Sequence, residues 1–260
     1  MKLENKVAIV TGGARGIGLG CAEALAEEGA RLLIADRPGS NELGVTVEKL
    51  RASGAECHGV EADAFTRQGC QSIISAANEQ FGDIDILVHV PGYNRRDSFL
   101  DYDPEAWAGV VNAVLHGPFH MSQLFARELV RRAKPGKITF ITSVLGTVPS
   151  ARSSAYGPAK AALDHLTRII AVELFEHQIN VNAIAPGWID TPGERDHYDD
   201  ETMAAEGAKL PWKRLGRSDE IGKAAAFLSS PDADYITGTI LPVDGGYLVR
   251  HGAEIPDERD

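Results

Sequence analysis

Seven short apolar runs, each followed by helical spacing, set the pattern of this chain. They are V-A-I-V at 7–10, R-L-L-I-A at 31–35, A-E-C-H-G-V at 55–60, I-D-I-L-V-H-V at 84–90, K-I-T-F-I-T at 137–142, I-N-V-N-A-I at 179–184 and T-I-L-P-V at 239–243. Several are apolar on consecutive positions rather than on alternate ones. A strand of that kind is covered on both faces, and strands separated by helices run parallel. The pattern predicts an α/β fold with a doubly wound, seven-stranded parallel sheet. Long helices are expected around 104–132 and 154–177. The 260 residues suit a single domain over 1–260 with a substantial core. No stretch reads as a linker, an internal repeat or a low-complexity tract.

Charge narrows the partners. The formal net charge is -11, from 26 basic and 37 acidic residues. An acidic surface argues against nucleic acid or an anionic membrane and leaves a small molecule as the expected substrate. No apolar run is long enough to span a bilayer. The opening M-K-L-E-N-K runs directly into the first strand, which leaves no room for a signal peptide. Cys21, Cys57 and Cys70 are odd in number and lack C-x-x-C spacing, so they read as reduced thiols in a cytoplasmic protein.

The first strand leads into T-G-G-A-R-G-I-G at 11–18, and a helical pattern follows. A Gly-rich turn between strand and helix lets backbone approach a pyrophosphate at the helix N-terminus. Gly12, Gly16 and Gly18 are the spaced glycines, and the sheet becomes Rossmann-type. Asp36 closes the next strand, where an acidic residue binds the ribose hydroxyls of NAD. It repels a 2′-phosphate, so NAD is expected, with NADP kept open by Arg15 and Arg37. Either arginine could instead pair with Asp36.

A second constellation lies at 143–160. Tyr156 and Lys160 are four apart at a helix start and share one face. A nearby cation lowers a phenol pKa by roughly one to three units and makes it a usable acid/base. Ser143, at the end of an apolar run, can hydrogen-bond the same reacting oxygen.

Together, T-G-x-x-x-G-x-G, Ser143, Y-x-x-x-K and a late P-G resemble the short-chain dehydrogenase/reductase family, over roughly Lys6 to Gly246. The resemblance implies hydride transfer between a nicotinamide cofactor and a secondary alcohol or ketone. It assigns catalysis to Ser143, Tyr156, Lys160 and Asn112, with Asn112 holding a water in a relay to the lysine. It places Gly12, Arg15, Gly16, Ile17, Gly18, Asp36, Arg37, Asp63, Ala64, Gly92, Tyr156, Lys160, Pro186, Gly187, Ile189 and Thr191 around the cofactor. The fourth strand departs from the family's N-N-A-G: here it ends His89-Val90-Pro91-Gly92, and Pro91 lacks an N–H. His89 is read as a histidine satisfied inside the sheet.

For the substrate, the expected contacts are Ser143, Leu145, Arg152, Tyr156 and Trp188, with Tyr93, Asn94, Arg95 and Val144 nearby. A polar loop at 192–211 reads as a lid. The many polar groups point to a sugar or polyol, and Arg95, Arg152 and Arg195 would each suit a sugar acid. The resemblance also implies a homotetramer built on the two long helices. V-D-G-G at 243–246 matches a family turn, and 250–260 is a charged tail. His116 and His120 stand i, i+4 but have no evident third ligand, so no metal is expected. Three alternatives remain: a 3-oxoacyl-[acyl-carrier-protein] reductase using NADPH, a non-catalytic nucleotide-sensing protein, and an epimerase or dehydratase of the extended relatives. The second is weakened by the intact catalytic set, the third by the short chain after Gly246.

Overall fold

In the first strand, β1 (Val7–Thr11), Val7 and Ile9 pack into one core while Ala8 and Val10 pack into another, and all four are fully buried. This is the physical origin of the unbroken apolar runs: successive side chains point to opposite faces, and both faces are covered. Each fully buried Ile or Leu contributes about 1.5–3 kcal/mol. The computed structural model describes residues 1–90 and 92–253.

After β1 come α1 (Gly16–Glu27), β2 (Arg31–Asp36), α2 (Asn41–Ala52), β3 (Cys57–Glu61), α3 (Arg67–Phe81) and β4 (Ile86–His89). The second half contains α4 (Pro104–Val111), α5 (Gly117–Arg131), β5 (Gly136–Ile141), α6 (Tyr156–Glu173) and β6 (Ile179–Pro186). The chain then forms β7 (Ile189–Asp190), α7 (Pro192–Arg195), α8 (Asp200–Ala208), β8 (Gly216–Arg217), α9 (Ser218–Ser229) and β9 (Ile240–Val243). The seven-stranded sheet has the order β3-β2-β1-β4-β5-β6-β9, with every pairing parallel. β7 and β8 form a separate two-stranded ribbon beside it. Between its two strands, the predicted 192–211 loop contains the short helices α7 and α8.

Strand order reverses between β1 and β4. A crevice therefore opens at the carboxyl ends of these two strands, the place where open α/β sheets take ligands. Thr11, the last residue of β1, is in register with His89, the last of β4. α1 and α9 cover one face and touch through glycines: a Cβ on Gly222 would lie 2.0 Å from the Gly20 carbonyl oxygen. α3, α5 and α6 cover the other face.

The predicted helix over 104–132 is not continuous. α4 gives way to a π-helical turn, Asn112–His116, before α5 begins. π-turns in α-helices recur at functional sites. α4 starts cleanly, with the Asp103 side chain accepting from the Ala106 N–H and Pro104 in the first turn. The three cysteines are buried, free thiols, and burial pushes Cys21 up to about 12. Among the described residues no helix is long and apolar enough to cross a membrane. Pro91 and most of the 250–260 tail lie outside the described residues.

Candidate active site

The glycine turn has the form that a dinucleotide phosphate requires. Gly12 and Gly16 adopt left-handed backbone, with φ of 64° and 54°. A Cβ on Gly18 would lie 2.0 Å from the Gly12 carbonyl oxygen, so the first turn of α1 presses directly on the loop. The N-cap residue Arg15 makes no side-chain capping bond, which leaves first-turn N–H groups available to an anion. Ile17 packs against the core below. Thr191 closes the turn from the far side: its Cβ lies 3.5 Å from where a Gly16 Cβ would stand.

Asp36 ends β2 beside this turn, and its two carboxylate oxygens accept the Ala14 N–H at 3.0 Å and the Arg37 N–H at 2.8 Å. Arg15 does not pair with it. The Arg15 guanidinium lies between Glu42 at 3.7 Å and Asp196 at 3.8 Å. Arg37 is exposed, and among the described residues it has no ion pair. Thr46 of α2 fixes the turn by donating to the Ala14 carbonyl at 2.7 Å. Thr46, Glu42 and Asp196 carry no local sequence signal; only the fold brings them here. Across the crevice, Asp63 accepts from the Phe65 N–H at 2.9 Å, and Ala64 follows it half-buried. The residues present fit a nicotinamide dinucleotide: a glycine cradle, an uncapped helix start and an acidic residue at the second strand end.

The proton-handling candidates converge at the ends of β4, β5 and α6. Ser143 follows β5 in extended backbone, and its Oγ accepts the Leu145 N–H at 3.1 Å. Tyr156 is the first residue of α6, and the Ser143 side chain is close enough to act on its phenol. Lys160, one turn on, is only 3% exposed. Its Nζ lies 5.4 Å from the Tyr156 ring centroid and donates to the Ile141 carbonyl at 2.7 Å. Asn112 sits where α4 becomes the π-turn, its Nδ2 donating to the Phe65 carbonyl at 3.4 Å and its Oδ1 facing His116 Nδ1 at 3.3 Å. Val110 and Val114 of that segment pack on Ala155, Ala159 and Tyr156, which sets the π-turn against α6.

The charges differ from the sequence expectation. Burial pushes the Tyr156 phenol up to about 12, and Ser143 pulls it down. Burial also pushes Lys160 down to about 8, against the pull of Asp164. The lysine ammonium is anchored by its bond to the Ile141 carbonyl, beside the Tyr156 ring.

His89 lies beneath the site, 1% exposed, with Nδ1 at 2.8 Å from Thr11 Oγ1. Among the described residues its Nε2 has no partner, which leaves the histidine half satisfied there. Burial and the nearby Lys160 push its pKa well down, so the ring is neutral. Gly92 has φ 147°, and a Cβ there would stand 3.8 Å from Lys160 Nζ. After β6, Pro186 leads to Gly187, whose N–H donates to the Val243 carbonyl at 3.1 Å. Ile189 is buried in the β7–β8 ribbon, and Thr191 caps α7 through the Glu194 N–H at 3.3 Å.

The substrate side needs the most revision. Arg195 is held by both oxygens of Asp190 at 2.7 Å and by Asp200, and Arg95 by Asp97 at 2.5 Å. Neither is free for a carboxylate. Leu145 and Arg152 line a cleft with Gly157, Pro158 and Ala161, on a different face of α6 from Tyr156 and Lys160. Trp188 stays at the crevice, its indole N–H donating to Glu194 at 3.0 Å and its ring 5.7 Å from that of Tyr198. Tyr93 packs against Phe65, with ring centroids 6.3 Å apart. Asn94 is half-buried, with its side-chain oxygen unpartnered.

Residues 12–248 match a family model described as enoyl-(acyl carrier protein) reductase. The chain is 34% identical over 249 residues to 2-dehydro-3-deoxy-D-gluconate 5-dehydrogenase of Dickeya dadantii, covering 95% of this chain and 97% of that protein. It is 35% identical to a 3-oxoacyl-[acyl-carrier-protein] reductase of Vibrio cholerae, covering 96% and 100%. A short-chain type dehydrogenase/reductase of Mycobacterium marinum superposes with a TM-score of 0.89 at 31% identity, over 95% of this chain and 97% of that one. With the doubly wound sheet, the glycine turn at its switch point and Ser143, Tyr156 and Lys160 gathered beside it, these matches establish that the chain is an NAD(P)-dependent oxidoreductase of the short-chain dehydrogenase/reductase family.

Proposed function

We propose that this enzyme transfers hydride between NAD and a secondary alcohol or ketone of a sugar, polyol or sugar acid. The observation that carries the proposal is the gathering of Ser143, Tyr156 and buried Lys160 at the crevice the glycine turn opens onto. A bound nicotinamide supplies the hydride acceptor or donor. Tyr156 exchanges the proton of the reacting oxygen, and Ser143 donates a hydrogen bond to that oxygen as charge develops on it. With its phenol held near 12, Tyr156 is protonated at neutral pH and suited to give its proton to a ketone. Alcohol oxidation requires an added positive charge to lower that value. Lys160 and Asn112 carry the proton onward from the buried phenol.

NAD is favoured over NADP by the electrostatics of the turn. Asp36 faces the ribose position, and Arg15 is already neutralised by Glu42 and Asp196. Residues 192–211 form the substrate lid. A homotetramer is supported by an open apolar groove between α5 and α6, where Phe119, Val130 and Ile169 keep large exposed surfaces. The acidic charge and buried thiols suit a cytoplasmic enzyme.

The Vibrio relative makes carrier-protein reduction the competing activity. Its acidic partner needs a free basic patch. Arg131 and Arg132 are engaged by Glu128 at 2.7 and 2.6 Å, which weakens that patch. The test is a screen of NAD⁺ and NADP⁺ reduction against sugars, sugar acids, polyols and secondary alcohols, with NADPH oxidation by 3-oxoacyl thioesters alongside. Reduction of NAD⁺ by a hydroxylated substrate is expected; activity confined to NADPH and thioesters overturns the proposal.

A further inference from the structure

We propose that Arg96, seated on Tyr198, is the carboxylate anchor of the substrate site, so that the enzyme acts on a polyhydroxylated acid rather than a neutral sugar. This rests on the oxidoreductase assignment above and narrows its substrate.

Three cations were expected to suit a substrate acid, and the structure accounts for each. Arg95 and Arg195 are consumed by Asp97, Asp190 and Asp200, and Arg152 lines a cleft on another face of α6. Arg96 is different. It has no carboxylate within ion-pairing distance among the described residues, and it is exposed. One guanidinium N–H donates to the Tyr198 hydroxyl, and the group lies 5.8 Å from the Tyr198 ring centroid. Arginine carries five N–H donors in a planar fork. One is spent on Tyr198, which fixes the fork and leaves enough donors for a two-point grip on a carboxylate.

Tyr198 is in turn placed by neighbours. Its ring meets the edge of Trp188, and the Trp188 indole donates to Glu194. An arc Glu194–Trp188–Tyr198–Arg96 thus spans the crevice from the 188–198 segment to the loop after β4. Both feet stand by the catalytic groups. Thr191, three residues before Glu194, touches the glycine turn, and Gly92, four before Arg96, approaches the Lys160 ammonium. Arg96 and Glu194 both bias the Tyr156 phenol, in opposite senses. The two ends offer different chemistry: a cation for one carboxylate, and a carboxylate acceptor for sugar hydroxyls. A thioester has no charge for Arg96 to bind.

The experiment compares six-carbon aldonates and keto-deoxyaldonates with alditols of matching stereochemistry, in wild type, Arg96→Gln and Arg96→Lys. Wild type should prefer the acids. In Arg96→Gln the ratio of kcat/KM for acid over alditol should fall by about 10- to 100-fold, carried by KM, as a lost hydrogen-bonded charge predicts. Lysine should restore part of it. Titration of tryptophan fluorescence with a non-reacting aldonate, in the presence of NADH, reads binding without turnover: saturation in wild type and its weakening in Arg96→Gln are expected. Preference for alditols, or equal losses on both classes in Arg96→Gln, overturns the anchor. If no substrate of either class turns over, the proposed sugar, polyol or sugar-acid substrate class fails, and the fluorescence titration still decides for or against Arg96.

Discussion

Replacing Lys160 by methionine should abolish turnover and at the same time make the folded protein more stable at neutral pH. The ammonium is 3% exposed, and burial holds its pKa near 8 rather than 10.5. A folded-state value below the unfolded one means that the folded chain binds fewer protons between those two pH values. Wild-type stability therefore rises with pH across about 8 to 10.5, and the cost of the buried charge is fully present below that window. At 1.36 kcal/mol per unit, the shift corresponds to about 3 kcal/mol. Methionine fills similar volume without a charge but leaves the Ile141 carbonyl, now bonded at 2.7 Å, without its donor, which costs about 1 kcal/mol. The net gain at pH 7 is about 2 kcal/mol, or a Tm increase of roughly 4–8 °C. At pH 10.5 the charge penalty is gone and only the lost hydrogen bond remains, so the difference should change sign. Thermal melts of wild type and Lys160→Met at pH 7 and 10.5 read this directly. A variant less stable at pH 7, or a difference that does not move with pH, refutes the burial argument.

Three further outcomes are expected. Asp36→Ala should relax cofactor choice, lowering the NAD-over-NADP ratio of kcat/KM by about 10-fold or more, since the proposed role of this carboxylate is to accept ribose hydroxyls and repel a 2′-phosphate; steady-state kinetics with both cofactors measures it. Glu128 is held down to about 2 by Arg131 and Arg132, so its contribution to stability is present above the ordinary glutamate range and is lost as pH falls toward 2. Glu128→Gln should flatten the acid limb of the Tm–pH profile, and an unchanged limb would contradict this. Arg96→Gln should lose acid selectivity in the comparison of aldonates with alditols.

Strands and glycine turn were legible in the sequence because their causes are local. A strand buried on both faces is apolar along its length, and a turn that crosses into left-handed backbone favours glycine, as at Gly12 and Gly16. Tyr156 and Lys160 were legible because four residues on a helix fix a shared face. The π-turn at Asn112–His116 was not, because its residues carry the same periodicity as a continuous helix. Long-range side-chain partners were the least readable. Arg15 meets Asp196 and Arg96 meets Tyr198 only after the sheet has folded, and no spacing rule spans such separations. Arg195 looked available because its polar surroundings were visible but not the geometry that turns Asp190 onto it. The phenol was misjudged for a related reason. Sequence places a lysine near Tyr156 but cannot show that its Nζ turns to the Ile141 carbonyl.

The most direct test of Tyr156 as the acid/base is steady-state turnover by Tyr156→Phe on the best wild-type substrate, with NADH binding followed by fluorescence in the same samples. Loss of the phenolic proton carrier should lower kcat by about 10²- to 10⁴-fold while NADH binding stays within a few-fold of wild type. Near-wild-type turnover in the phenylalanine variant, with the cofactor bound, would contradict proton transfer through Tyr156 and with it the assignment of the site.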